Sequence, residues 1–75
     1  MEFDAFKQLV FAAIAAHDGM WSWYQLGRHV TPQAPEMARE LMLALRQLED
    51  EGRIYSVNGI SSAQPLYAVG NRGAA

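Results

Sequence analysis

The side chains that could carry out covalent or metal chemistry are few in this sequence. Its 75 residues include two histidines and no cysteine, so a thiol nucleophile and a thiolate metal site are excluded. His17 and His29 are twelve positions apart, and two histidines alone do not complete a zinc site. The sequence contains no glycine-rich phosphate loop, no HExxH motif and no serine spacing typical of a catalytic triad. We therefore expect no enzyme activity, no cofactor and no bound metal.

Composition and charge narrow the class of protein further. An apolar fraction of 51% in an 8.4 kDa chain excludes a disordered protein and predicts a single small domain. The net charge of −2 and the pI near 5.5 argue against a protein that binds any polyanion. The start at Met1–Asp4 is acidic, and the longest apolar run, Leu9–Ala16, is short. Neither a secretory signal nor a membrane span is predicted, so we expect a cytoplasmic protein.

Apolar side chains at three- and four-residue steps predict three amphipathic helices. Their predicted ranges are 4–17, about 23–30 and about 35–51. Asp4 and Ser22 are the expected N-caps of the first two helices, and Trp23 is expected on the core face of the second. Pro35 suits the first turn of the third helix, where its missing amide costs little. Gly27 is a poor helix former, which indicates close approach of another helix at that point.

Two short runs of β-forming residues follow the third helix and predict a hairpin. The runs cover residues 53–57 and 66–69. Asn58–Gly59 is a strong turn signal, but Pro65 interrupts a tight return, so a long loop over residues 58–65 is the preferred interpretation. Tyr55 and Tyr67 are expected to face each other across the hairpin.

A short extended piece at 20–21 precedes the second helix. The full order of helix, short strand, helix, turn, helix, strand, long turn and strand resembles the winged-helix family, and three stretches carry the resemblance. They are HDGMWSWYQLGRHV at 17–30, ARELMLALRQLEDEGRIYSV at 38–57 and PLYAVG at 65–70. The resemblance implies an α+β fold in which a three-helix core carries a C-terminal two-stranded β-hairpin, the wing. The domain would cover residues 1–70, followed by a frayed tail at 71–75.

In that family the third helix usually enters the DNA major groove, and the wing touches the backbone or the minor groove. The resemblance therefore implies a DNA-binding protein, a transcription regulator, that contacts double-stranded DNA with the outward face of its third helix. Arg39 and Gln33 would read base edges, and Arg28 and Arg46 would contact phosphates. The candidate DNA-binding residues are Arg28, Gln33, Arg39, Leu43, Arg46 and Gln47.

Charge around the third helix departs from what a DNA-binding member requires. Between Pro32 and Glu51 there are two arginines against five acids, and Glu36 and Glu40 fall in the first turns. The loop at 58–65 contains neither lysine nor arginine. Because affinity for DNA comes largely from phosphate neutralisation, a monomer would bind weakly, and a homodimer would double the contacts.

A second interpretation is a winged-helix protein-interaction module that does not bind DNA. The first helix carries small side chains away from its core stripe, and Leu43 lies in the middle of the outward face of the third helix. The candidate interface residues are Phe11, Ala12 and Ala16, and the partner would be a second copy or a different protein. The competing explanation is that alanine is a good surface helix former and that a single exposed leucine needs no explanation.

Overall fold

A computed structural model describes residues 1–57 and 65–70 and has an α+β architecture. Three α-helices, a 3₁₀ helix and one antiparallel sheet make up this part of the chain. The helices are α1 (Phe3–Ala16), α2 (Trp23–Val30) and α3 (Leu41–Asp50), with the 3₁₀ helix Pro35–Glu40 directly before α3. The strands are β1 (Trp21–Ser22), β2 (Ile54–Ser56) and β3 (Leu66–Val69).

Helix α1 begins and ends one residue earlier than predicted. The carbonyl of Glu2, not of Asp4, accepts the first bond of the helix, from the Phe6 amide at 3.0 Å. Asp4 therefore lies in the first turn, where a carboxylate is still favoured by the helix dipole. Of the apolar side chains that predict this helix, Phe6, Val10, Ala13 and Ile14 are buried and Leu9 is half-buried.

Helix α2 has the predicted bounds, but Trp23 does not take its expected place in the core. Ser22 is the N-cap, and its amide donates to Gln25 Oε1 at 3.0 Å, which satisfies one of the free donors at the helix start. Trp23 is 37% exposed, so its expected core position is wrong. Trp21 packs against the core and stacks on the His17 ring at 3.6 Å between centroids. Trp21 lies in strand β1 and faces the core, whereas Trp23 lies in the first turn of α2 and faces the solvent.

The third predicted helix is divided into two kinds of helix. Residues 35–40 wind as a 3₁₀ helix, and the α-helical bonding starts only at Leu41. The first tight turn closes where the Met37 amide donates to the Ala34 carbonyl at 2.9 Å. Since 3₁₀ turns are common at the start of α-helices, and Met37 stays half-buried against the core in this form, the apolar pattern alone did not distinguish the two.

The sheet has three strands, not the two of the expected hairpin. Their order is β1-β3-β2, with both neighbours antiparallel to β3. Trp21 pairs with Tyr67, so the short piece before α2 covers the edge of β3. Ser56 is the partner of Tyr67, and Tyr55 is the partner of Ala68. Side chains alternate between faces along a strand, so the two tyrosines lie on opposite faces and the expected cross-strand pair is wrong.

One apolar core joins the helices to the sheet. Its members come from all three helices, the turn after α2 and strands β2 and β3, with the largest fully buried side chains being Phe6, Ile14, Leu26, Leu45, Leu48, Ile54, Val10 and Val30. Gly27 lies where α2 and α3 meet, and a Cβ there would be 3.2 Å from Leu41 Cδ2. The expected close approach of helices at this glycine is therefore present. The expected Asn58–Gly59 turn, the loop as far as residue 64 and the tail at 71–75 lie outside the described residues.

Candidate nucleic-acid interface

Helices α2 and α3 and the 3₁₀ helix between them form the surface on which the sequence placed its DNA contacts. A shallow groove of about 570 Å³ runs between α2 and the 3₁₀–α3 segment. Arg28 borders it from α2, and Ala38 and Leu41 border it from the other side. The turn between α2 and the 3₁₀ helix is stabilised by Gln33, whose Nε2 donates to the His29 carbonyl at 3.1 Å.

Three arginines of this unit are free of carboxylates. Arg28, Arg39 and Arg46 are exposed, and none forms an ion pair within the described part of the chain. The Arg28 guanidinium lies 5.9 Å from the centroid of the Tyr24 ring, which leaves its donors open to solvent. These side chains are therefore available for an external anion.

The other two positively charged side chains among the described residues, Lys7 and Arg53, lie outside this unit and are paired with acids. Lys7 of α1 is 8% exposed, and its Nζ donates to Glu51 and, at 3.3 Å, to Gln47 Oε1. The Arg53 guanidinium lies 3.8 Å from Glu51. Acidic charge at the C-terminal end of α3 is thus partly neutralised from within the protein. Gln47 is half-buried beside α1, so its side chain faces Lys7 and not the outward face on which we expected it.

The beginning of α3 carries apolar side chains. Because the α-helix starts at Leu41, its first turn holds Met42 and Leu43, which are 55% and 46% exposed. Arg46 follows one turn later, and all three line a cleft of about 400 Å³ between α3 and β3. Arg39 directly precedes this turn, at the end of the 3₁₀ helix.

Glu49 places an acidic group at the far end of the cleft between α3 and β3. Partial desolvation raises the pKa of Glu49, and the neighbouring Asp50 carboxylate raises it further. Burial raises the pKa of the Tyr67 phenol in the same cleft, and the Glu49 charge adds to this shift. Near the 3₁₀ helix, by contrast, the hydrogen bond from the N-terminal ammonium lowers the pKa of Glu36. The charge of Glu36 is therefore balanced by the N-terminal ammonium, whereas Glu49 and Asp50 have no ion-pair partner among the described residues.

The candidate interface residues of α1 lie in two different environments. Ala12 and Ala16 are exposed, as expected. Phe11 is half-buried, and the Arg53 guanidinium lies 4.3 Å above its ring centroid. A partner that uses this aromatic ring as an anchor would have to displace the arginine first.

Sequence reasoning missed two features of this surface. Lys7 lies one helical turn from Phe3 and another from Val10, so its place on the core-facing stripe of α1 was a readable signal. Met42 lies about 100° around α3 from the core side chain Leu41, at the edge of the outward face, and its 55% exposure is not readable from that position alone.

Within residues 1–57 and 65–70, no three histidine or acidic side chains come together to form a metal site. In the same ranges, no helix has both the length and the apolar character needed to cross a bilayer. Comparison of the chain with family models, with curated proteins and with solved structures gives no match.

Proposed function

We propose that this protein is a winged-helix DNA-binding protein that regulates transcription. The observation that carries the proposal is a set of three exposed arginines on the α2–α3 unit that form no ion pair with any described residue, Arg28, Arg39 and Arg46. Among the described residues, the cationic side chains that do pair with acids are Lys7 on α1 and Arg53 just before β2, and the N-terminal ammonium pairs with Glu36. The three helices and the antiparallel sheet are compatible with the winged-helix arrangement.

In the proposed complex the N-terminal half of α3 enters the major groove. This is the docking geometry of helix-turn-helix proteins, whose second helix presents its first residues to base edges. Arg46 lies one turn inside α3, and Arg39 lies just before it, so both can reach a base edge or a phosphate. Arg28 of α2 contacts the phosphate backbone on the other side of the groove between the helices.

The acids at the end of α3 set the expected strength of binding. Glu49 and Asp50 disfavour phosphate contacts beyond the first two turns, so a single domain has at most three arginine contacts in this region. The slope of log K against log salt is then about −3 or smaller in magnitude, following roughly 0.9 per neutralised phosphate. A homodimer on two half-sites would double this slope.

The proposal is tested by fluorescence anisotropy with a labelled random-sequence duplex at two salt concentrations. We expect binding at low salt that weakens as salt rises, and loss of most of this binding in the triple variant R28Q/R39Q/R46Q. The matched control is Arg53→Gln, which removes one positive charge from outside the proposed surface. Circular dichroism shows whether each variant is folded.

Absence of binding at low salt, or binding that the triple variant retains, would contradict the proposal. The second candidate function is the protein-interaction module, which the exposed Met42–Leu43 pair favours because apolar side chains suit a protein anchor. Sedimentation of the parent and of Leu43→Ala measures it: a mass above the monomer that falls with the substitution, without DNA binding, supports that function.

A further inference from the structure

We propose that Met42 and Leu43 recognise the 5-methyl groups of thymine in the major groove, so that the protein prefers sites rich in A·T pairs. This inference rests on the proposed DNA-binding function and adds the class of sequence that is read. The major groove distinguishes thymine by its C5-methyl group, which apolar side chains contact.

The position of the two side chains in α3 carries the argument. The side chains that α3 contributes to the core, Leu41, Ala44, Leu45 and Leu48, are between 0% and 7% exposed. Leu43 lies on the side of α3 away from these residues and Met42 at the flank of the helix; both are half-exposed and neither belongs to that core. They are adjacent in the first α-helical turn, which is the part of a recognition helix that reaches deepest into the groove.

The charged side chains around Met42 and Leu43 favour contact with DNA bases over contact with the phosphate backbone. Arg46 lines the same cleft and has no carboxylate partner among the described residues, so it supplies the positive charge next to the apolar contact. Glu49 occupies the far end of the cleft, and its charge opposes a phosphate there. The helix with its side chains is about 10–12 Å wide, which matches a major groove of about 12 Å.

The expected size of the effect follows from the burial of a methyl group. One methyl transferred from water to an apolar contact contributes about a fourfold change in affinity. Two complete contacts, one for each side chain, would give a preference of about sixteenfold, and incomplete burial of the two methyl groups brings the expected preference to about tenfold. The preference depends on the methyl group alone and not on base pairing.

The test compares two labelled duplexes of identical alternating A·T sequence, one with thymine and one with 2′-deoxyuridine in every thymine position. The uracil duplex keeps all base-pair hydrogen bonds and lacks the methyl groups. We expect the parent to bind the thymine duplex about tenfold more tightly at low salt. The double variant M42A/L43A should bind both duplexes equally. Val57→Ala shortens an exposed apolar side chain outside α3 and should keep the tenfold ratio.

The outcomes separate the inference from the function on which it rests. Failure of the parent to bind any duplex overturns the DNA-binding function itself. Salt-dependent binding with equal affinity for the two duplexes overturns the thymine inference and leaves the function standing. A ratio that persists in M42A/L43A also overturns it, because the preference would then come from the shape of the DNA. Both variants replace exposed side chains with alanine, so the fold should be retained, and circular dichroism checks this.

Discussion

Lys7 of α1 and Glu51, just after α3, form an ion pair across the interface of the two helices. The ammonium also donates to Gln47 Oε1 one turn earlier at 3.3 Å. The lysine is 8% exposed, and its aliphatic stem lies on the buried side of α1. This relationship holds the C-terminal end of α3 against α1.

Replacing Lys7 with alanine should lower the free energy of unfolding by about 2 kcal/mol, because the stem loses its packing and the partners lose their donor. Lys7→Met keeps most of the stem and should cost less than about 1 kcal/mol, since Glu51 remains partly exposed to water. Urea unfolding of the three proteins measures both values. Equal losses for methionine and alanine would assign the stabilisation to the charge alone.

The contact of Arg53 with the Phe11 ring should contribute to the stability of the monomer. A guanidinium 4.3 Å from a ring centroid typically adds about 0.5–1 kcal/mol. A double-mutant cycle of Arg53→Ala and Phe11→Ala, followed by thermal unfolding, should give a coupling energy of that size. Strictly additive effects would mean that the two groups are neighbours without interacting.

Glu49→Gln should raise the stability of the protein at neutral pH. The pKa of Glu49 is raised in the folded state above the ordinary value of 4.5, so its favourable contribution is present below about pH 4.5 and is lost as the pH rises through the folded-state pKa. The neutral amide avoids this loss. The melting temperature of the variant should exceed that of the parent at pH 7, and the difference should shrink towards pH 4.5.

Asp50→Asn provides the control for this pH dependence. Removing the Asp50 charge takes away the second cause of the raised pKa of Glu49, so the loss of stability should be smaller and should be complete at a lower pH. An unchanged pH profile in this variant would assign the shift to desolvation alone.

Gly52→Ala should destabilise the protein by about 1–2 kcal/mol. Gly52 has a φ of +75°, and left-handed backbone costs an L-residue about this much. Its conformation lets the Arg53 amide donate to the Leu48 carbonyl at 2.9 Å, which ends α3 and directs the chain into β2. Gly52→Asn should cost less than alanine because asparagine tolerates this region better. Chemical denaturation measures the order, and a neutral alanine variant would contradict the explanation.

Local patterns predicted much of the fold. The stripe that contains Phe6 and Val10 lies at helical spacing, Ser22 stands where a helix can start, and Gly52 stands where one can end. Each signal depends on near neighbours in the chain, so each can be read without the partner surface. The candidate arginines could be assigned to the exposed side by the same counting.

The differences between the predicted and the observed structure arise from contacts between residues that are far apart in the chain. Trp21 and Trp23 are equally apolar, and only the pairing of Trp21 with Tyr67 in the sheet assigned the first one inward. The register of β2 against β3, which puts Tyr55 and Tyr67 on opposite faces, depends on contacts between strands. A shift of one residue in register reverses every side chain, and no single strand contains that information.

Amino-acid order was sufficient to define three amphipathic helices, the short extended piece before the second helix, the two strands after the third helix, and the positions of Arg28 and Arg46 on the surface. Short-range periodicity is enough for this because it separates apolar from polar faces. Packing of the whole chain was needed to make residues 35–40 a 3₁₀ helix, to add β1 to the sheet and to pair Lys7 with Glu51. Those features depend on atoms that are far apart in the chain and meet only when the core forms.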